Sequence, residues 1–600
     1  MKALMTGAAS AALAVALTVS AGAASAQSYD RLVVLGDSLS DNGNLYGATQ
    51  GAQPTSPPYW QGRFSDGRTF AEQLGFTTAN FSGPVTGSIN LAFGGARTDA
   101  QTMPPGMQVQ LASYLQRGGR FGSGDLVSVL GGANNIFQGL PVAGASTNPT
   151  ASIAAVSKSA ANDVSGIVGS IAQAGAGTIV VTNLPRLSIT PQFRGTAAAP
   201  LADYAVTQFN SALATNLASV AAANANTNII QVDLLATGDA LAANPEAFGI
   251  KNATGACFNG VTVCSNPNEY FYFDGVHPTT KGHSLMAAMV EDYIYYGTFG
   301  TRMAVLGETS WRHREDDLDE ATRLLSTREG WGEGTRIAMS AFASSASVDA
   351  RGVIGETDTE GYGVRLALET GNETWRFGLA GGLRQSELDA GVVKADIDNY
   401  SLDIYGAWRS DNVFINAAGG VATDDYDDVQ RLTALAPLVH TSSARGQSYG
   451  ARVQGGMWFE SGSLSISPRA AVAWVNTNVD EFFEAGPVAD YLYADRTLSA
   501  VTGEITVRVE HSTDRTQIFA EGGWRDVLSD SSDDARTRIY GNTAHVLGQQ
   551  VDLPFGSQGL ATVGLQTQLG ERARVELAYR GRFGSDFSSH NGGIRLSYNF

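Results

Sequence analysis

The sequence predicts two folds in tandem: a three-layer α/β sandwich, then an all-β barrel built to span a membrane. Three observations carry this. A chain of 600 residues is too long for one core, since domains usually hold roughly 100–200 residues. From residue 27 to 300, short β-branched runs alternate with longer Ala-rich stretches, the mark of parallel strands with crossover helices. After residue 335 the apolar period shortens from 3.6 to 2, as strands with one apolar face require.

Residues 1–26 read as a secretory signal. Lys2 supplies the positive start, Ala11 to Val19 the apolar stretch, and Ala24-Ser25-Ala26 the small-residue cleavage site, placing the mature start at Gln27. The apolar stretch is shorter than the ~20 residues of a spanning helix. Export makes disulfides possible. Cys257 and Cys264, the only cysteines, are expected to close a small disulfide loop.

In the α/β half (27–300), strands are expected at Arg31 to Leu35, Leu126 to Leu130, Thr178 to Val181 and Asn228 to Val232, with helices over 107–117, 151–174, 200–224 and 280–296. Immediately after the first strand comes Gly36-Asp37-Ser38-Leu39-Ser40-Asp41-Asn42-Gly43-Asn44. Glycine and Asx residues permit a tight turn there, placing Ser38 at the carboxyl end of a parallel strand, where α/β sites gather. A serine hydroxyl is a weak nucleophile without an adjacent base. Asp274-Gly275-Val276-His277-Pro278-Thr279 supplies one: Asp274 fixes the imidazole tautomer, and His277 takes the Ser38 proton. His283 reads instead as a surface histidine near a helix start. Acyl transfer also needs donors for the developing oxyanion. The Ser38 and Gly95 amides, the latter in Asn90-Leu91-Ala92-Phe93-Gly94-Gly95-Ala96, and the Asn134 side chain, in Leu130-Gly131-Gly132-Ala133-Asn134-Asn135, form the candidate set. Trp60, Phe64, Phe93 and Phe137 are candidate acyl-pocket residues.

Glu308 to Thr327 has no Gly or Pro, many charges and isolated leucines, a helix polar nearly all round. It reads either as a solvent-bridging linker or as a plug through a polar lumen. Beyond it, Ala573, Val575, Leu577 and Tyr579 alternate with Arg574, Glu576, Ala578 and Arg580, and Ile505, Val507 and Val509 with Thr506, Arg508 and Glu510. Alternation alone fits a soluble sandwich as well as a membrane barrel. Three features favour the barrel. About twelve such strands can be placed, near 335–348, 360–370, 374–384, 396–408, 412–422, 447–460, 463–475, 500–511, 516–526, 558–569, 572–582 and 588–600, many with the roughly 9–11 residues of a tilted spanning strand. Short turns alternate with long polar stretches, expected at 423–446 and 476–499, as in outer-membrane barrels. The last strand, Ile594 to Phe600, resembles the assembly signal of bacterial outer-membrane proteins, which implies recognition by their assembly machinery through Phe600. Tyr362, Trp375, Tyr400, Trp408, Trp458, Trp474 and Tyr598 are candidates for aromatic girdles.

These residues carry two resemblances. The first half resembles the GDSL, or SGNH-hydrolase, lipases and esterases: Ser38 matches the block I nucleophile, Gly95 the block II glycine, Asn134 the block III asparagine, and Asp274 and His277 the block V pair. It departs where the family usually has Gly-X-Asn-Asp, since this chain has Asn135 in the last place. The second half resembles the autotransporter translocator, a twelve-stranded barrel whose pore holds a helix leading to the passenger. Together they imply a signal (1–26), a hydrolase passenger (27–300), a helix threading the barrel (301–330) and a barrel (331–600). The implied activity is hydrolysis of carboxylic esters at the cell surface, with phospholipase or carbohydrate O-acetylesterase chemistry, or an adhesin on a hydrolase scaffold, as alternatives. No metal or organic cofactor is expected, and the partners are an ester or lipid substrate and the surrounding outer-membrane lipid. The formal charge of −19 argues against nucleic acid. Most of it lies after residue 300, where 42 acidic face 27 basic residues, so it reports the barrel's surroundings.

Overall fold

A computed structural model of the chain describes residues 28–325, 333–435, 438–486 and 488–600. The signal expected at 1–26, and residues 326–330 of the expected linker, lie outside the described residues.

Five parallel strands form the sheet of the first half: β1 (Arg31–Gly36), β2 (Ile89–Asn90), β3 (Asp125–Leu130), β4 (Thr178–Thr182) and β5 (Asn228–Val232). Their spatial order is β2-β1-β3-β4-β5. Each strand is almost wholly buried, as parallel sheets covered on both faces must be. The pleat divides the side chains between two cores. Val33, Leu35, Val127, Val129 and Ile179 meet the helices Met107–Gln116, Pro149–Gln173 and Ala199–Ala223. Leu32, Val34, Leu126, Val180 and Ile230 pack instead with residues of Leu234–Ala243 and Thr280–Ile294. The result is the three-layer arrangement. Helix starts follow local chemistry: Asn148 accepts from the Ala151 N–H at 3.1 Å with Pro149 next to it, and Thr279 accepts from the Gly282 N–H at 3.1 Å. The short β2 and the helices Ala133–Gly144 and Leu234–Ala243 were not among the expected elements. The first of these helices holds Gly139, Pro141 and Gly144, which disguise its period.

The second half closes on itself. Twelve antiparallel spanning strands are present among the described residues, the first, Gly334–Val348, pairing with the last, Phe587–Asn599. The strand Val439–Met457 continues into Phe459–Ser461 across Trp458. Alternation now has a direction. Arg336, Arg365, Asp403, Arg452, Glu504, Arg508 and Arg525 are buried toward the lumen, whereas Ile337, Leu366, Leu379, Ile404, Val472, Ile505 and Ile594 are each at least 37 % exposed. So large an apolar belt is untenable in water and matches the lipid face of a membrane barrel. The helix Val305–Arg323 runs through the lumen, and the plug reading is the one the structure adopts. Trp311 on this helix stacks on Phe555 at 3.9 Å, and the Arg314–Asp403 and Glu315–Arg525 pairs tie it to the wall.

Two expectations are corrected here. The segment 423–446 is mostly strand: Val413–Leu432 spans 20 residues and Val439–Met457 spans 19, because paired backbone can continue the ladder into water beyond the ~9–11 residues that lipid requires. Likewise 476–499 is strand at both ends, with the short strands Phe482–Phe483 and Tyr491–Tyr493 between. Trp458 is not in a girdle. It is 2 % exposed and packs on Phe414 at 4.5 Å, since it keeps the alternating register of the lumen-facing Arg452 and Gln454.

The two folds touch. The barrel connection 533–557 lies along the free edge of β5, where the Asn542 side chain donates to Gln231 O at 2.6 Å and accepts from Gln231 N–H at 3.0 Å. Thr543 Oγ1 donates to Ile229 O at 2.5 Å, and the His545 N–H to Asn228 Oδ1 at 2.9 Å.

Candidate active site

The site sits where β1 and β3 end. Gly36 lies so close to β3 that a Cβ there would meet Leu130 O at 2.6 Å, so only glycine lets the two strand ends converge. The chain then turns, with the Ser40 and Asp41 N–H groups donating to Asp37 O, and presents Ser38. His277 Nε2 lies 2.8 Å from Ser38 Oγ. His277 Nδ1 lies 2.7 and 2.9 Å from the two Asp274 oxygens. A 239-residue separation in sequence thus becomes one continuous chain of hydrogen bonds.

Asp274 is held by more than the imidazole. It accepts from the Val276 and His277 N–H groups at 3.0 and 2.8 Å, an Asx turn on its own loop. The Tyr59 hydroxyl donates to Oδ2 at 2.7 Å. Burial pushes the Asp274 carboxyl up, but the His277 ring and the donated backbone N–H groups override it and hold the group below the ordinary carboxylate range. Tyr59 stands among Phe64, Phe258 and Phe273, with ring centroids 5.3 to 6.0 Å away. Burial raises the Tyr59 hydroxyl, so it stays a donor. The Cys257–Cys264 sulfurs are bonded at 1.98 Å in the loop carrying Phe258.

Gly95 and Asn134 line the same cavity as Ser38 and His277. Gly95 has φ +77°, the left-handed region that favours glycine. Asn134 Nδ2 donates to Ala96 O at 3.0 Å and lies 3.5 Å from Asp37 Oδ2. Two buried residues that motif reading did not single out set this loop. Asp41 accepts from the N–H groups of Gly43, Asn44 and Leu45 and, at 2.7 Å, from Gly94, which staples the glycine loop to the Ser38 turn. Burial nevertheless raises the Asp41 carboxyl to about 6. Asn90 donates to Ser40 O at 2.6 Å. The Asx-rich run Asp41-Asn42-Gly43-Asn44 was the available signal; Tyr59, 215 residues from Asp274 in sequence, left none.

Asn135 has a definite task. Its Oδ1 accepts from the Thr98 N–H at 3.0 Å, and its Nδ2 donates to Thr98 Oγ1 at 3.1 Å. Thr98 Oγ1 in turn donates to Asp163 Oδ2 at 2.8 Å. Asn135 is thus linked through Thr98 to the Asp163 carboxylate.

Other expectations are corrected. His283 is not on the surface: it is 1 % exposed and its Nδ1 accepts from the Phe70 N–H at 3.2 Å. Burial, with the neighbouring His277, lowers it to about 3, so it is a neutral packing group. Of the four acyl-pocket candidates, Phe64 and Phe137 line the cavity. Phe93 faces away and packs edge-on against Phe81 at 4.9 Å, and Trp60 lies under the Arg63 guanidinium at 4.9 Å. The cavity measures about 320 Å³ and is lined mostly by apolar side chains.

Fold and site together define a hydrolase joined to an outer-membrane barrel. The chain belongs to the GDSL-like lipase/acylhydrolase family, whose model matches residues 32–290, and its second half is an autotransporter β-domain, matched over residues 337–580. It is 30% identical over 256 residues to the phosphatidylcholine-sterol acyltransferase of Aeromonas hydrophila, covering 42% of this chain and 71% of that protein. It is 24% identical to Esterase EstA of Pseudomonas aeruginosa, covering 95% of this chain and 96% of that one. Among solved structures, the translocator domain of the autotransporter NalP from Neisseria meningitidis aligns with a TM-score of 0.42 at 14% identity, over 50% of this chain and 99% of that one. The chain is an outer-membrane autotransporter whose GDSL passenger stands at the cell surface.

Proposed function

We propose that this chain is a cell-surface serine esterase that hydrolyses carboxylic esters of short to medium acyl chains. The observation that carries the reading is the unbroken line Ser38 Oγ, His277, Asp274, with contacts of 2.8 and 2.7 Å. Ser38 Oγ attacks the ester carbonyl while His277 Nε2 takes its proton, and Asp274 stabilises the imidazolium. The Ser38 and Gly95 amides and Asn134 Nδ2, giving up its long contact to Asp37, bind the oxyanion, each donor worth about 2.7–4 kcal/mol of transition-state stabilisation. The tetrahedral adduct collapses as His277 returns the proton to the leaving alkoxide. Water, deprotonated by the same imidazole, then cleaves the acyl-serine to release the carboxylic acid. In this reading residues 27–300 are the enzyme, 301–330 the threading segment and 331–600 the barrel.

An apolar cavity of about 320 Å³ reaches the ~300–1,000 Å³ range of ligand pockets and favours an acyl chain longer than acetyl. That favours lipid-like esters over carbohydrate O-acetyl groups, and an enzyme over an adhesin scaffold. Hydrolysis of p-nitrophenyl butyrate by intact cells is expected from the wild type and lost in Ser38→Ala. Equal rates above an empty-vector control would sink the proposal.

A further inference from the structure

The cavity that holds Ser38 and His277 is not completed by the hydrolase fold. Leu435, which belongs to the connection between the barrel strands Val413–Leu432 and Val439–Met457, also lines it. Leu435 is 1 % exposed and sits in one apolar cluster with Leu241, Leu285, Met286 and Met289 of the hydrolase, all of which line the same cavity.

A buried charge holds it there. Asp292, fully buried, lies near the end of the helix Thr280–Ile294 that carries Met286 and Met289. Its carboxylate accepts from barrel groups: the Ala434 N–H at 3.1 Å, the Leu435 N–H at 3.3 Å and Arg431 Nη1 at 3.1 Å. Arg431 is itself fixed by Glu484, at 2.9 Å from Nε, and the Tyr491 hydroxyl donates to Asp292 O at 2.5 Å. A buried carboxylate is tolerated only when paired and hydrogen-bonded, and three of its partners are contributed by the barrel. The loop is therefore set against the cavity wall at a defined height.

We propose that Leu435 is a specificity-determining residue of the esterase site, a barrel side chain that closes the acyl pocket and limits the chain length it accepts. The assignment rests on the esterase reading above and deepens it. The enzyme is then the whole chain, with passenger and barrel each contributing to one substrate pocket.

The test uses full-length protein in outer membranes and four p-nitrophenyl esters: butanoate, octanoate, dodecanoate and hexadecanoate. Leu435→Ala is expected to raise the ratio of kcat/KM for dodecanoate over butanoate by about fivefold, roughly the gain from one further buried methylene. Leu435→Trp is expected to lower it by a similar factor. Leu435→Val moves the ratio in the direction of Ala by a smaller step and serves where a larger change prevents assembly of the barrel. An active wild type with all ratios within twofold of one another across the variants overturns the assignment alone. A wild type inactive on all four esters overturns the esterase reading and the assignment with it.

Discussion

Replacing Asp274 by Asn isolates the orienting carboxylate without changing its shape. Asp274 accepts four donors: the Val276 and His277 amides, His277 Nδ1 and the Tyr59 hydroxyl. The substituted side chain keeps one acceptor oxygen, and the two backbone N–H groups claim it because both already bond Oδ1. The new NH2 group then faces His277 Nδ1, which has to become an acceptor. The proton moves to Nε2, the atom 2.8 Å from Ser38 Oγ, so the ring points a donor at the hydroxyl it should deprotonate. A triad with its imidazole in the wrong tautomer loses about 10⁴-fold in kcat, equivalent to about 5.5 kcal/mol of barrier. The assay is p-nitrophenyl butyrate turnover by purified full-length protein, with KM measured in parallel. KM is expected to stay within a fewfold, because the substituted group does not touch the acyl pocket. A kcat within tenfold of the wild type would refute the reasoning that Asp274 sets the tautomer.

Three further outcomes are expected. Tyr59→Phe removes one hydrogen bond to an ionised acceptor, worth about 1.5–3 kcal/mol; kcat should fall about tenfold with KM unchanged, and an unaltered kcat would show that Tyr59 only packs. Asn135→Asp leaves the Thr98 hydroxyl between two carboxylates, at a cost of about 1–3 kcal/mol in stability. Adding Asp163→Asn should recover most of that loss in a double-mutant cycle of thermal inactivation, and additive losses would reject the coupling. For pH, the buried Asp37 and Asp41 carboxyls are raised to about 6, above an unfolded value of 3.8. The native state therefore binds their protons more tightly, and stability should rise as pH falls from about 7 to 5, by about 1.3 kcal/mol per group. Asp274, held low, works in the opposite sense, but only below about pH 4. Thermal inactivation midpoints that stay level or drop between pH 7 and 5 would reject this, and the rise should shrink in Asp41→Asn.

The parts legible in sequence are those in which the physics is local. The runs that became β1, β3, β4 and β5 are β-branched and bounded by turn residues, and the twelve barrel strands show period 2 because lumen and lipid select opposite chemistry at alternate positions. Ser38 and the Asp274/His277 pair lie in short contiguous motifs. The remainder depends on contacts between distant segments. Tyr59 meets Asp274, Asn135 meets Thr98 and Leu435 meets Asp292 with no periodicity to announce them. His283 was misplaced for the same reason, its burial being decided by the distant Phe70 segment, whereas Trp458 could have been placed from its even register with the lumen-facing Arg452 and Gln454. The polar segment 423–446 looked like loop because composition reports exposure to water, and a strand above the bilayer is as polar as a loop.

The contact at the β5 edge bears on how the hydrolase sheet ends. An edge strand presents a row of unmet N–H and C=O groups, a template for pairing with other chains. Here Gln231 finds both its donor and its acceptor in one amide side chain, Asn542, which stands in for a missing sixth strand. Asn542 lies 311 residues further along, in the connection between the barrel strands Thr516–Ser532 and Gln558–Gln568. The barrel half thus covers the edge of the hydrolase sheet, and a hydrolase produced without its barrel would leave that edge unpaired.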